Sequence, residues 1–238
     1  MNISQFTLWD ITVNVVPGVL LLLLVSILTP QRLVESLLVF YSEGGLLAAL
    51  TVLVLSYTFG RVFQEGVSRE LDNVIVQISW SDRHQSAKQH FSEEMNKARE
   101  DNNPTIRKMF LEDSIPHFLN EDINSIDNVD QRIDDSALFR LCQEYVIGNK
   151  IGRLNRFTIL SRFHRSLYIL GLLAMPLLFT VQFVWPVLGY TAVLNWGDTL
   201  IIMIIIGIVS VFSFRERWYF EQKMTDALIN GYYTSRAE

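Results

Sequence analysis

Four histidines and one cysteine are the side chains best suited to metal or nucleophilic chemistry in this chain, and their spacing builds no known site. His84, His90, His117 and His164 have no metal-ligand spacing. His90 with Glu93 and Glu94 fits a solvated helix face better than a ligand set. His117 and Asp122 form an H-x-x-x-x-D pair, a spacing used by some acyltransferases. Here it stands in an acidic stretch without companion motifs and reads as coincidence. No H-E-x-x-H, G-x-S-x-G, Walker-type phosphate loop or G-x-G-x-x-G occurs. The single Cys142 excludes an intrachain disulfide and most thiolate zinc sites. The expectation is a protein without catalytic residues, metal or cofactor.

Two other sets of residues could act on ions or ligands. Lys150, Arg153 and Arg156 belong to a stretch, residues 140–165, whose net charge is +5. Gathered from several subunits they would make a basic ring suited to a phosphate-rich ligand; lipid contact and pairing with an acidic stretch are the alternatives. Arg162 and Arg165, nearer the apolar run that follows, suit lipid headgroups. The second set is hydroxyl-bearing. Gly207, Ser210 and Ser213 recur at every third position of an apolar run, and Asn14 lies in another. Such residues either bond neighbouring helices or line a water-filled path with apolar constrictions. Ile201, Ile202, Ile204 and Ile205 would supply the constriction.

The elements that must position these residues are legible in the hydropathy pattern. Half of the 238 residues are hydrophobic, yet they are gathered into four nearly charge-free runs, at 11–28, 46–59, 166–185 and 199–214. Residues 61–165 instead carry 15 Lys/Arg and 17 Asp/Glu. Blocked apolar runs are the mark of a membrane protein, and a hydrocarbon core of ~30 Å needs about 20 helical residues. Charge-free spans argue against a membrane protease or proton pump. Basic residues concentrate in 61–165 and after 214, which places those segments and both termini in the cytoplasm. Trp9, Tyr168, Trp218 and Tyr219 then fall at the inner boundary, Trp185 and Trp196 at the outer one.

The domain plan is a first transmembrane hairpin (1–60), a cytoplasmic helical domain (61–165), a second hairpin (166–214) and a helical tail (215–238). The fold class is all-α: a four-helix transmembrane bundle whose helices extend into a helical cytoplasmic domain. In the first helix Pro17–Gly18 fits a kink packed against a neighbour, or a hinge. Residues 31–41 suit a helix on the membrane surface, turned back at Glu43, Gly44 and Gly45. The second helix continues past the membrane to about Trp80 with Phe63, Val67, Leu71, Val74, Ile75 and Ile78 as its apolar face. A polar helix with Ala87, Phe91, Met95 and Ala98 on one side follows. Residues 106–111 suit a short helix. The stretch 112–135, with eight carboxylates and one arginine, reads as a loop. A helix over 137–147 and a tail helix with Phe220, Met224, Ala227 and Leu228 on one side complete the plan.

The V-P-G of Val16, Pro17 and Gly18, the S-Y-T-F-G-R of residues 56–61 and the R-F-H-R-S-L of residues 162–167 resemble small membrane effectors of prokaryotic anti-phage systems, such as Hailong-type channel subunits. The resemblance covers the architecture of the chain. It implies an oligomeric inner-membrane pore, controlled by a nucleotide or oligonucleotide at the cytoplasmic part. The partners to expect are membrane lipid, further copies of the chain and a nucleotide, oligonucleotide or soluble regulatory protein. A non-conducting anchor or sensor that recruits a soluble partner is the alternative.

Overall fold

The computed structural model describes residues 8–29, 31–78, 86–100, 105–119, 134–148, 152–189 and 194–237. Lys150, Asp122, His84, Trp80 and most of the acidic stretch lie outside them, as do the side chains of residues 31–41. The described residues are helical: α1 (Leu8–Leu28), α2 (Gln31–Val62), a π turn (Phe63–Val67), α3 (Ser68–Ile78), α4 (Ala87–Glu100), α5 (Ile106–Leu119), α6 (Asp135–Gly148), α7 (Gly152–Val187) and α8 (Trp196–Ala237). They form two compact units, Met1–Ser79 with Ile159–Arg217, and Trp80–Thr158 with Trp218–Glu238. The seams fall inside α7 and α8, so each of these helices contributes to both units.

The first unit holds the apolar runs. Three helices are long and apolar enough to span: Gly44–Ile75, Arg153–Val187 and Trp196–Arg236. The apolar part of α1, Val13–Ile27, is shorter. The expected turn before the second span is present at Gly45, where φ is 49° and ψ −124° between two helical pieces. A side chain would be strained in that conformation.

Small residues set how closely these helices meet. A Cβ on Gly18 would fall 1.7 Å from the carbonyl oxygen of Ser56, and one on Gly60 would fall 1.8 Å from that of Asn14. The backbones of α1 and α2 therefore touch at two levels. In lipid, where apolar side chains gain nothing by leaving the solvent, this close approach is what holds helices together. Pro17–Gly18 is thus part of a packed contact. α7 and α8 also meet at a glycine, but against side chains, with Gly171 facing the Ser210 hydroxyl. Near the other end of this pair, the Gln182 side-chain amide donates to the Leu194 carbonyl at 3.0 Å and to the Thr199 hydroxyl.

The second span continues beyond the membrane run as expected, but not with the expected face. The π turn at Phe63–Val67 puts one extra residue into the helix. From the turn onward the apolar phase is shifted: Gln64, Ser68 and Asp72 are buried and Leu71 and Ile75 half-buried, while Val67 and Val74 are exposed. Unbroken 3.6-residue periodicity would have turned Val67 and Val74 inward.

The second unit has its own core. Phe91, Met95, Phe110, Ile115, Leu138, Cys142, Leu154, Leu228 and Tyr232 are buried together, drawn from α4, α5, α6 and parts of α7 and α8. All four residues expected on the apolar side of α4 are buried, as are Met224, Ala227 and Leu228 of the tail, with Phe220 half-buried. α4 starts with a capping box: the Ser86 hydroxyl accepts from the Gln89 amide at 3.3 Å, and the Gln89 side chain accepts from the Ser86 amide at 2.9 Å. One expectation is corrected here. Residues 112–119 are not loop but the second half of α5, which runs through Pro116. Burial of Phe110, Leu111 and Ile115 outweighs the poor helix propensity of Ser114 and Pro116, as packing commonly does.

Candidate functional site

The group of residues that stands out in the first unit is one the hydropathy pattern conceals. Asp72 on α3 is buried, and both of its carboxylate oxygens are taken. The Tyr168 hydroxyl of α7 donates to Oδ1, and Arg217 Nη2 of α8 donates to Oδ2. The side chains of Arg217 and Asp72 are 5% and 3% exposed. The guanidinium also lies 5.9 Å from the centre of the Tyr168 ring, within reach of a cation–π attraction. Phe214 meets the same ring edge to face at 5.3 Å.

The π turn adds a second tie. Such a turn breaks the regular run of backbone bonds and leaves carbonyls for other donors. The Gln64 carbonyl accepts from Arg165 Nη2 at 3.1 Å and from the Ser68 hydroxyl at 2.9 Å. Thus α7 reaches the second span through Arg165 and Tyr168, and α8 reaches it through Arg217. Tyr168 stands just inside the apolar run of α7, and Arg217 just past that of α8. The cluster is therefore a polar knot at the foot of three membrane-capable helices.

Its members were individually visible. Tyr168 is expected from the sequence as an interfacial aromatic and Arg165 as a base at lipid headgroups, while Asp72 falls between the apolar positions of the second helix. Only the π turn brings Asp72 inward. The helical periodicity of α3 gives no sign of it; the one signal in the sequence is an arginine, Arg217, three residues past the end of an apolar run.

The residues expected to line a pore are placed as follows. Ser210 is buried, donates to the Ile206 carbonyl at 2.6 Å and faces Gly171. Ser213 is buried as well. Gly207 is half-buried beside Met175, and Asn14 is half-buried beside Gly60. The exposed side of α8 is instead apolar: Leu200, Ile201, Ile204, Ile208 and Val211. Of the basic set, Arg153 and Arg156 are exposed near the start of α7, and Lys150 lies outside the described residues.

Among the described residues no group of His, Cys, Asp and Glu could hold a metal ion. Burial pushes the Cys142 thiol up to about 12, which keeps it protonated and unreactive at neutral pH. His117 is exposed and packs against the rings of Phe118, Tyr145 and Tyr232; Asp122, the other member of the H-x-x-x-x-D spacing, lies outside the described residues. Several ion pairs join helices in the second unit. Arg99 holds Asp135 at 2.5 Å and Arg107 holds Glu94 at 2.8 Å, while Arg236 pairs with Asp113. The arrangement can tie helices together and present charge. Comparison of the chain with protein-family models, curated proteins and solved structures gives no match.

Proposed function

We propose that this chain is a subunit of an oligomeric inner-membrane ion channel or pore-forming effector, held closed by the Asp72–Arg217–Tyr168 knot and controlled by its helical polar domain. In this reading α1 is a fourth span. Its residues Leu8–Leu28 are about 30 Å long at 1.5 Å per residue, and its backbone contact with α2 carries it alongside the second span. The polar domain and both termini lie in the cytoplasm. The likeness to anti-phage channel subunits gives the biological setting, with a nucleotide or oligonucleotide meeting Lys150, Arg153 and Arg156.

The observation that carries the proposal is the buried charged knot. A buried ion pair is a poor device for stability, because desolvating two charges offsets most of their attraction. Its best-attested use is to fix one arrangement among alternatives. Ionisable groups tucked among membrane helices mark functional positions by default. A pair that ties the second span to α8, with α7 joined through Tyr168, is suited to hold those helices in one arrangement and release them in another.

The test is ion flux in reconstituted vesicles with candidate nucleotides and oligonucleotides. The parent should conduct only with its ligand. A chain carrying Asp72→Leu with Arg217→Met, which removes both charges together, should conduct without it. Replacing Lys150, Arg153 and Arg156 by Ala should weaken the ligand in a salt-dependent manner. The inward direction of Ser210 and Ser213 favours the second reading, a non-conducting anchor or sensor, since an α8-lined pore would need α8 to turn. Absence of flux from the parent and from the double variant, under every ligand, rejects the channel and leaves the anchor.

A further inference from the structure

The exposed side of α8 is not a smooth ridge. An open groove runs along it from Leu200 past Ile204, Gly207 and Val211 to Arg215, with Met175 of α7 at its floor. Gly207 makes the groove: a Cβ there would come within 2.9 Å of the Met175 methyl. Every residue lining it is apolar except Arg215 at one end. Arg215 is exposed and has no ion pair among the described residues. At 1.5 Å per residue the distance from Leu200 to Arg215 is about 22 Å. That is most of the apolar run of α8, so the groove follows the hydrocarbon depth away from its Arg215 end.

We propose that this groove is a binding site for one anionic phospholipid of the leaflet on the Arg215 side. The Arg215 guanidinium takes the phosphate, for which its planar fork of donors is suited. An acyl chain lies over Gly207, between Ile204 and Val211, and reaches toward Leu200. Two features select this occupant. The groove's charge stands at the headgroup end alone, and that charge is positive. A choline or ethanolamine headgroup would bring its own cation to Arg215. Free phosphate would gain nothing from the apolar length. The neighbouring Glu216 is a turn of about 100° around the helix and is half-buried, so it does not share the groove. The site rests on α7 and α8 spanning the bilayer, and not on conduction.

The experiment is native mass spectrometry of the full chain released from nanodiscs of phosphatidylglycerol and phosphatidylcholine in equal parts. The parent should retain one phosphatidylglycerol per chain. Arg215→Gln should lower that retention about fivefold, the ~1 kcal/mol that one basic residue contributes at an anionic surface. Ile208→Trp, at a position 66% exposed in the groove wall, should lower it by filling the groove without touching the charge. Arg140→Gln, an exposed arginine on α6 of the polar unit, should leave it unchanged, and inorganic phosphate should not displace the lipid. Equal retention of both lipids overturns the proposal, and so does a loss with Arg140→Gln as large as with Arg215→Gln. A chain that holds the lipid but conducts nothing keeps this site and loses the channel. A chain washed from membranes by salt alone loses the spanning reading itself.

Discussion

Replacing Arg217 by methionine keeps a long side chain but removes the cation that faces Asp72. With that carboxylate 3% exposed and Tyr168 its other donor, the charge left behind has no access to water. Removing one partner of such a pair destabilises by about 3–5 kcal/mol, a large part of the ~5–15 kcal/mol by which folded domains are held. Asp72→Leu is expected to be costly as well, because it removes the carboxylate that the buried Arg217 guanidinium faces. The two changes together should behave differently. Replacing both charges by apolar groups of similar size is often neutral, or stabilising by about 1–4 kcal/mol. The double variant should therefore lie near the parent or above it, with a coupling energy beyond the ~0.5 kcal/mol expected of independent sites. The assay is thermal unfolding in one detergent, followed by near-ultraviolet dichroism, on the parent, both single variants and the double variant. Single variants that each fall within ~0.5 kcal/mol of the parent, or a double variant whose loss is the sum of theirs, would refute the buried-pair argument and place Asp72 in water.

The helix contacts and the core cysteine yield further tests. Gly18→Leu and Gly60→Val each drive a side chain into a backbone carbonyl less than 2 Å away and should reduce the yield of folded protein several-fold by gel filtration. Gly66→Ala, where no atom outside the helix lies within 4 Å, should leave that yield unchanged. Cys142 should resist maleimide at pH 8 until the protein is unfolded, because its thiol is held up to about 12 by burial. The unfolded chain releases that proton near pH 8.5 and the folded chain keeps it, so this residue lowers stability as pH rises between those values. Cys142→Ala should make the loss of thermal midpoint between pH 8.5 and 11 shallower. For topology, a reporter fused near Asn103 or after Glu238 should read cytoplasmic and one near Gly44 periplasmic; a periplasmic signal at Asn103 would overturn the orientation.

Composition and periodicity alone determined that this chain is helical and built around membrane-capable runs, with a separate polar unit. The physics there is one-dimensional. A long charge-free run has few other fates, and Phe91 with Met95, or Met224 with Leu228, share a face through spacing along one helix. The close contact of α1 with α2 was half legible, since Pro17–Gly18 marked where a helix could be approached but not by what. The remainder was decided by tertiary structure. Asp72 lies inward because one π turn, five residues upstream, rotates every position that follows, and nothing in the local composition signals that extra residue. Ser210 faces Gly171, and so α7, because a hydroxyl can either bond within its own helix against a neighbour or face water, and its sequence environment is the same in both cases. Pro116 stays helical because burial of Phe110 and Ile115 outweighs its local preference. In each case the deciding partner is remote in sequence, so its contribution to the energy appears only when the helices are brought together.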